Sequence, residues 1–167
     1  DQIDIIKKEL SKYKIKPDYQ NNLELSLNIK NLNRQLDKIK IQNIIKDKNK
    51  NITKDKKFGL FTLRQQMLID FPPKELRNVI DESKKDIKEG IVVGFSIFEK
   101  KVGVAVGVTT ELSKKYNAVD LVKVASEILG GEGGGGRKDF AQAGGVYKEK
   151  IEEAFQAVYK KLIKTSS

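Results

Sequence analysis

Gly130-Gly131-Glu132-Gly133-Gly134-Gly135-Gly136-Arg137-Lys138-Asp139-Phe140-Ala141-Gln142-Ala143-Gly144-Gly145 holds eight of the thirteen glycines in the chain. Glycine loses more backbone freedom on folding than any other residue, so a folded domain gathers it where side chains must be absent. The usual reasons are positive φ angles or a backbone that comes very close to something else. Successive N–H groups in such a loop can form an anion-binding concavity, especially ahead of a helix. Arg137 and Lys138 follow the glycines directly and add side-chain cations. A flexible linker is the competing reading, but linkers pair glycine with serine, and Arg137 to Ala143 does not.

Outward from this stretch, 167 residues allow one compact domain or a small domain with an appendage. Position 1 is Asp rather than Met, so the chain reads as a piece of a longer protein. It has no cysteine and no histidine. That excludes disulfides, zinc sites built on thiolate or imidazole, cysteine nucleophiles and His-dependent triads. No apolar run approaches the roughly 20 residues of a membrane helix, so no membrane partner is expected, and a cytoplasmic location is the default. The net charge of +10 points to an acidic partner, nucleic acid ahead of anionic membrane. Only Arg34, Arg64, Arg77 and Arg137 are arginines. The other cations are lysines in a chain heavy in Asn and Ile, and compositional drift toward a solvated surface would also supply them.

Residues 1–57 carry fifteen Lys and Arg against eight Asp and Glu, and residues 58–167 carry eighteen against fifteen. Ile3, Ile6, Leu10 and Tyr13 keep helical spacing until Pro17. Leu25, Ile29, Leu32, Leu36 and Ile39 then fall on alternating heptad core positions, with Asn43 at the next. The pattern predicts an antiparallel helical hairpin, its second helix running from Leu23 to about Ile45. Lys46 to Lys57 is almost wholly polar and reads as a solvated loop or linker. The division expected is therefore a helical hairpin with linker over 1–57 and a globular part over 58–167.

Gly59 to Ile69 reads as a strand. Pro72-Pro73 opens a helix whose apolar face is Leu76, Val79, Ile80 and Ile87. Ile91–Phe98 and Val102–Val108 form a β-hairpin, in which Gly94, Gly103 and Gly107 mark bulges or close backbone approach. Asp120 caps or opens a helix through Leu121, Val124, Ala125, Ile128 and Leu129 that stops at Gly130. Val146 to Ile163 is a last amphipathic helix. The order β-α-β-β-α-loop-α predicts an α/β (α+β) sandwich with helices on a small mixed sheet.

The stretch Gly130 to Gly145 resembles the glycine-rich signature of the C-terminal domain of alanyl-tRNA synthetases: a glycine string, then Arg-Pro-Asp-Met-Ala-Gln-Ala-Gly-Gly. The upstream order is similar, with a helix, a β-hairpin, the Leu112-Ser113-Lys114-Lys115 connector and a helix, and so is the helical hairpin ahead of it. Lys138 replaces the usual Pro, which frees the loop and adds a cation. Phe140 replaces Met, and Asn117-Ala118-Val119 replaces an frequent His-Ala-Gly. The resemblance implies a domain of the kind associated with DHH phosphoesterases. It would bind tRNA at the outer corner of the L, help one tRNA serve aminoacylation and editing, and self-associate through the hairpin. Its partners would be alanine-accepting tRNA and the other domains of the synthetase. The resemblance implies ATP, magnesium and an editing-site zinc for the whole synthetase. None of them is expected in this piece, which has no Cys or His ligand and no catalytic residues.

The tRNA contacts expected are Gly133, Gly134, Gly135, Gly136, Arg137, Lys138 and Gln142 of the glycine stretch, with Lys114 and Lys115 of the connector. Lysines attract phosphates without regard to sequence, bare backbone lets RNA come close, and Arg137 can fork onto phosphate or stack on a base. Phe140 reads as a plug under the loop, with base stacking as the alternative, and Asp139 reads as a group that orients Arg137 or caps local N–H groups rather than one for acid–base chemistry. Two other functions stay open. One is the substrate-binding half of a DHH-type phosphoesterase, whose loop commonly ends in His where this chain has Arg137. The other is a purely structural dimerisation module.

Overall fold

The computed structural model describes residues 19–166. The first expected stripe, Ile3 to Tyr13, lies outside the described residues, and with it the first half of the hairpin. The second half is helix α1, Tyr19–Lys46. Its heptad positions Leu25, Ile29, Leu32, Leu36 and Ile39 are each more than half exposed. Contacts divide the chain into two compact units, with the boundary between Lys40 and Ile41.

The second unit is built on one six-stranded sheet. Its strands are β1 (Asn51–Phe58), β2 (Phe61–Ile69), β3 (Gly90–Phe98), β4 (Lys101–Val108), β5 (Gly134–Arg137) and β6 (Phe140–Gly145), in the order β1-β2-β3-β4-β6-β5. Every neighbouring pair is antiparallel except β2 with β3. A parallel pair needs a crossover. Here it is Phe71 to Glu89, which carries α2 (Leu76–Ile87). Helices α3 (Ala118–Ile128) and α4 (Ile151–Ser166) complete the unit. The mixed sheet with helices on it is the α/β class expected.

Strand pleating divides the core in two. Ile91, Val93 and Phe95 of β3 and Val102, Val104, Val106 and Val108 of β4 face α3 and α4. Val92 and Ala105 face the other way, onto Leu76, Val79 and Ile80 of α2, with Ile41, Ile44 and Ile45 of the last α1 turns packed alongside. Gly94 and Gly107 lie under α2, and Gly103 under Pro73 just ahead of it. A Cβ on Gly94 would stand 2.5 Å from Ile80 Cδ1, and one on Gly103 would stand 2.8 Å from Pro73 Cβ. The close-approach reading of these positions therefore holds.

Three expectations need correction. Asn51 to Lys57, read as part of the linker, belongs to strand β1: pairing with β2 along its whole length satisfies its backbone, while its central side chains stay in solvent. An edge strand of that kind carries no apolar alternation for a sequence reading to find. The glycine stretch, read as a loop, is mostly the β5–β6 hairpin. The cap of α3 is Asn117 rather than Asp120: its side chain accepts from Val119 N at 3.0 Å, and Asp120 sits within the first turn.

One arginine fastens β1 and α2 to β2. Arg64 Nε and Nη2 each donate to Asp55 at 2.7 Å, and Nη1 donates to Asp86 at 2.6 Å. These bonds raise the Arg64 pKa, and the guanidinium beside it lowers that of Asp55 below its ordinary 3.8. Charge-assisted bonds of this kind contribute about 1.5–3 kcal/mol, less where the partners are solvated. The carboxylates are 43% and 69% exposed, so Arg64→Met is expected to cost about 1–2 kcal/mol in urea unfolding at pH 7. A group with a depressed folded pKa stabilises above its unfolded pKa and loses that contribution as pH falls. The gap between Arg64→Met and the unsubstituted chain should therefore close as pH falls through the carboxylate range. A gap constant from neutral pH to pH 3 would show that Asp55 is not the partner that matters.

Candidate nucleic-acid interface

The glycine stretch begins where α3 stops. Gly130, at φ 73°, and Gly131 close the helix end, with Gly130 N donating to Glu127 O at 3.2 Å and Gly131 N to Ser126 O at 2.8 Å. The buried hydroxyl of Ser126 donates to Gly144 O at 2.9 Å, with Gly133 O at 3.4 Å. Leu129 O accepts from Val146 N and Tyr147 N. One serine and one carbonyl thus tie both ends of the hairpin to α3. Gly133, at φ 108°, turns the chain into β5.

β5 is the sheet's edge strand, pairing only with β6. Gly135, Gly136, Arg137 and Lys138 are exposed, and Gly133 and Gly134 are half-buried. Strong strand formers are β-branched or aromatic, and glycine is depleted in strands. Register with β6 and Ser126, rather than propensity, hold this one. A Cβ on Gly134 would meet Ala143 Cβ at 2.5 Å and Gln142 O at 2.6 Å, so the pairing itself requires the bare residue.

The nine expected contacts do not converge on one concavity. At one end of the hairpin, Gly133 and Gln142 line an open groove of about 720 Å³ with Pro73, Gly103, Gly131 and Gly144. The Gln142 amide donates to Pro73 O at 2.9 Å, which fixes the side chain across the groove. Arg137 and Lys138 lie at the other end. There Lys138 O accepts from Ala118 N and Asp139 O from Val108 N, both at 2.9 Å. Those bonds bring the turn to the connector that carries Lys114 and Lys115. Lys114 is engaged by Glu111 at 2.7 Å, and Lys115 lies over the Tyr116 ring at 5.5 Å. Gly134, Gly135 and Gly136 form the bare edge between the two ends.

Asp139 does orient Arg137, accepting from Nε at 3.2 Å. Phe140 is the plug: it is 8% exposed and packs in the α2-side cluster. Sequence reasoning missed Arg77, whose guanidinium stands over the Phe140 ring at 5.1 Å. No local signal could have found it, because α2 and β6 are far apart in sequence. Among the described residues no group of three or more His, Cys, Asp or Glu is placed to hold a metal ion, and no helix is long and apolar enough to cross a membrane.

The DHHA1 domain family matches residues 63–164. The chain is 50% identical over 102 residues to the alanine–tRNA ligase of Parvibaculum lavamentivorans and 52% identical over 85 residues to that of Hyphomonas neptunium. Those stretches cover 60% and 51% of this chain but only 11% and 10% of the two ligases. The C-Ala domain of Aquifex aeolicus alanyl-tRNA synthetase superposes with a TM-score of 0.60 at 34% identity, over 64% of this chain and 96% of that one. A DHH-domain member of the s1p family of ribosomal proteins shares the fold at 18% identity, with a TM-score of 0.51 over 76% of this chain and 31% of its own. The fold shared with the C-Ala domain and a family match over more than half the residues agree: the chain belongs to the DHHA1 domain family.

Proposed function

We propose that this chain is the tRNA-binding C-terminal module of an alanyl-tRNA synthetase, contacting the outer corner of the tRNA and helping it serve both aminoacylation and editing. The observation that carries the reading is the exposed glycine edge strand ending in Arg137-Lys138, in a chain about half identical to alanine–tRNA ligases where they align. Bare backbone offers N–H groups and close approach, while the cations supply attraction that weakens as salt rises. Gly133 to Gly136, Arg137 and Lys138 are the proposed contact edge, Lys114 and Lys115 flank it, and Gln142 belongs to the groove at its far end. ATP, magnesium and zinc would serve other parts of the synthetase. With no Cys or His, these residues do not fit a zinc site of that kind. The reading places the module in the cytoplasm beside the other synthetase domains.

The test is a titration of alanine-accepting tRNA into the chain. Arg137→Ala is expected to weaken binding by about 1–3 kcal/mol, the range for a lost charge-assisted contact. Equal affinity at low salt would remove Arg137 from the contact surface, and no binding by the unsubstituted chain would remove the reading itself. A second role, self-association through α1, is favoured by the exposed stripe Leu25 to Ile39. A sedimentation weight that stays at that of a single chain as concentration rises would dismiss it.

A further inference from the structure

The three arginines of the second unit are held in two different ways. Arg64 spends every guanidinium nitrogen on Asp55 and Asp86, and its side chain is 13% exposed. Arg77 and Arg137 are 54% and 68% exposed. Arg137 donates a single bond through Nε to Asp139, and Arg77 Nε stands 3.8 Å from Asp81, beyond hydrogen-bond reach. Both therefore keep the Nη pairs that fork onto a phosphate.

The two open arginines also share a face. Arg137 pairs directly with Phe140 across β5 and β6, and cross-strand partners project to the same side of a sheet. Phe140 projects to the α2 side, where Arg77 covers its ring. Arg137 therefore projects from the face on which Arg77 covers the Phe140 ring, one strand further out, with neighbouring strands roughly 4.8 Å apart. The ring holds the Arg77 head against the sheet at little cost in side-chain freedom, and Asp81 and Asp139 hold both cations loosely enough to exchange for a stronger anion. Lys84, packed over Gly107 and ion-paired with Asp81 at 3.3 Å, adds charge about two turns further along α2.

We propose that Arg77 is a second phosphate-contacting residue, and that it and Arg137 grip the RNA phosphodiester backbone from either side of Phe140. This rests on the tRNA reading above and extends the contact surface from the glycine edge onto α2. The ligand chemistry follows from the donors: two planar forks from separate elements, neither consumed by a carboxylate, suit successive anionic groups on one polymer better than a single small anion.

The experiment is a tRNA titration of the 167-residue chain at several salt concentrations, with Arg77→Gln, Arg77→Lys, Arg137→Ala and Lys160→Gln. Arg77→Gln keeps an aliphatic stem on Phe140 and removes the charge. It is expected to bind about tenfold more weakly, with the slope of log affinity against log salt reduced by about one, as for one lost phosphate contact. Arg77→Lys keeps the charge without the fork, so the slope should stay while affinity falls roughly threefold. Lys160, exposed on α4 across the sheet, should change neither. Unfolding curves of the variants separate contact from stability. Wild-type affinity and slope in Arg77→Gln, beside weakened Arg137→Ala, would overturn this proposal and leave the tRNA reading standing. An equal loss of slope in Arg77→Gln and Arg77→Lys would mark a folding effect and overturn it too. Absence of tRNA binding by the unsubstituted chain would bring down both.

Discussion

Gly131→Ala is expected to lower unfolding stability by about 3 kcal/mol. A Cβ there would enter the van der Waals shell of the Gly144 carbonyl oxygen and of Ser126 Oγ. A backbone oxygen cannot swing aside as the end of a flexible side chain can. Overpacking of this kind costs about 1–3 kcal/mol, and displacing the buried Ser126–Gly144 bond adds a comparable amount. Gly135→Ala is the control: nothing lies within 4 Å of its Cβ, and its φ needs no special residue. That change should stay within about 0.5 kcal/mol of the unsubstituted chain, as surface substitutions usually do. Urea midpoints decide it. Two equal midpoints would mean that Ser126 does not fasten the hairpin to α3.

Phe140→Ala should cost about 3–5 kcal/mol, the range for removing a buried aromatic ring. The loss has two parts. The α2-side cluster of Leu76, Val79, Ile80, Val92 and Ala105 loses its contact with β6, and Arg77 loses the ring it covers. Because β6 lies between β4 and β5, the damage should spread outward rather than inward. Amide exchange is therefore expected to accelerate most along β5 and β6, while β2 and β3 stay protected to near the global limit. Phe140→Leu keeps most of the volume and should recover more than half of the stability. A loss below about 1 kcal/mol in Phe140→Ala would show that the ring covers the cluster without filling it.

Legibility in the sequence follows the strength of local signals. The β3–β4 hairpin and α2 announce themselves because apolar residues recur at strand or helix period and end at glycine or proline. Gly94, Gly103 and Gly107 are legible as sites of close approach, although only the structure names Ile80 and Pro73 as what approaches. β1 and β5 are not legible as strands, and for opposite reasons. β1 is so polar that nothing alternates, and β5 has no side chains to alternate until Arg137. Both exist because a neighbour pairs with them, and neither carries an alternation of its own for a sequence window to find. The site divides the same way. Arg137, Lys138 and the glycines stand next to one another in the chain and are found together. Arg77 reaches Phe140 only after α2 has crossed the sheet, and Gln142 leaves the company of Arg137 because one repeat of the pleat along β6 carries it to the groove.

The two margins of the sheet are finished differently. β1 presents Lys54, Asp55, Lys56 and Lys57 to solvent, a fringe of charge that repels an added strand. β5 presents three glycines, and Arg137 at its end is its one charge. Growth or docking in the plane of the sheet is therefore one-sided, and an extended chain arriving from any direction finds a single open berth.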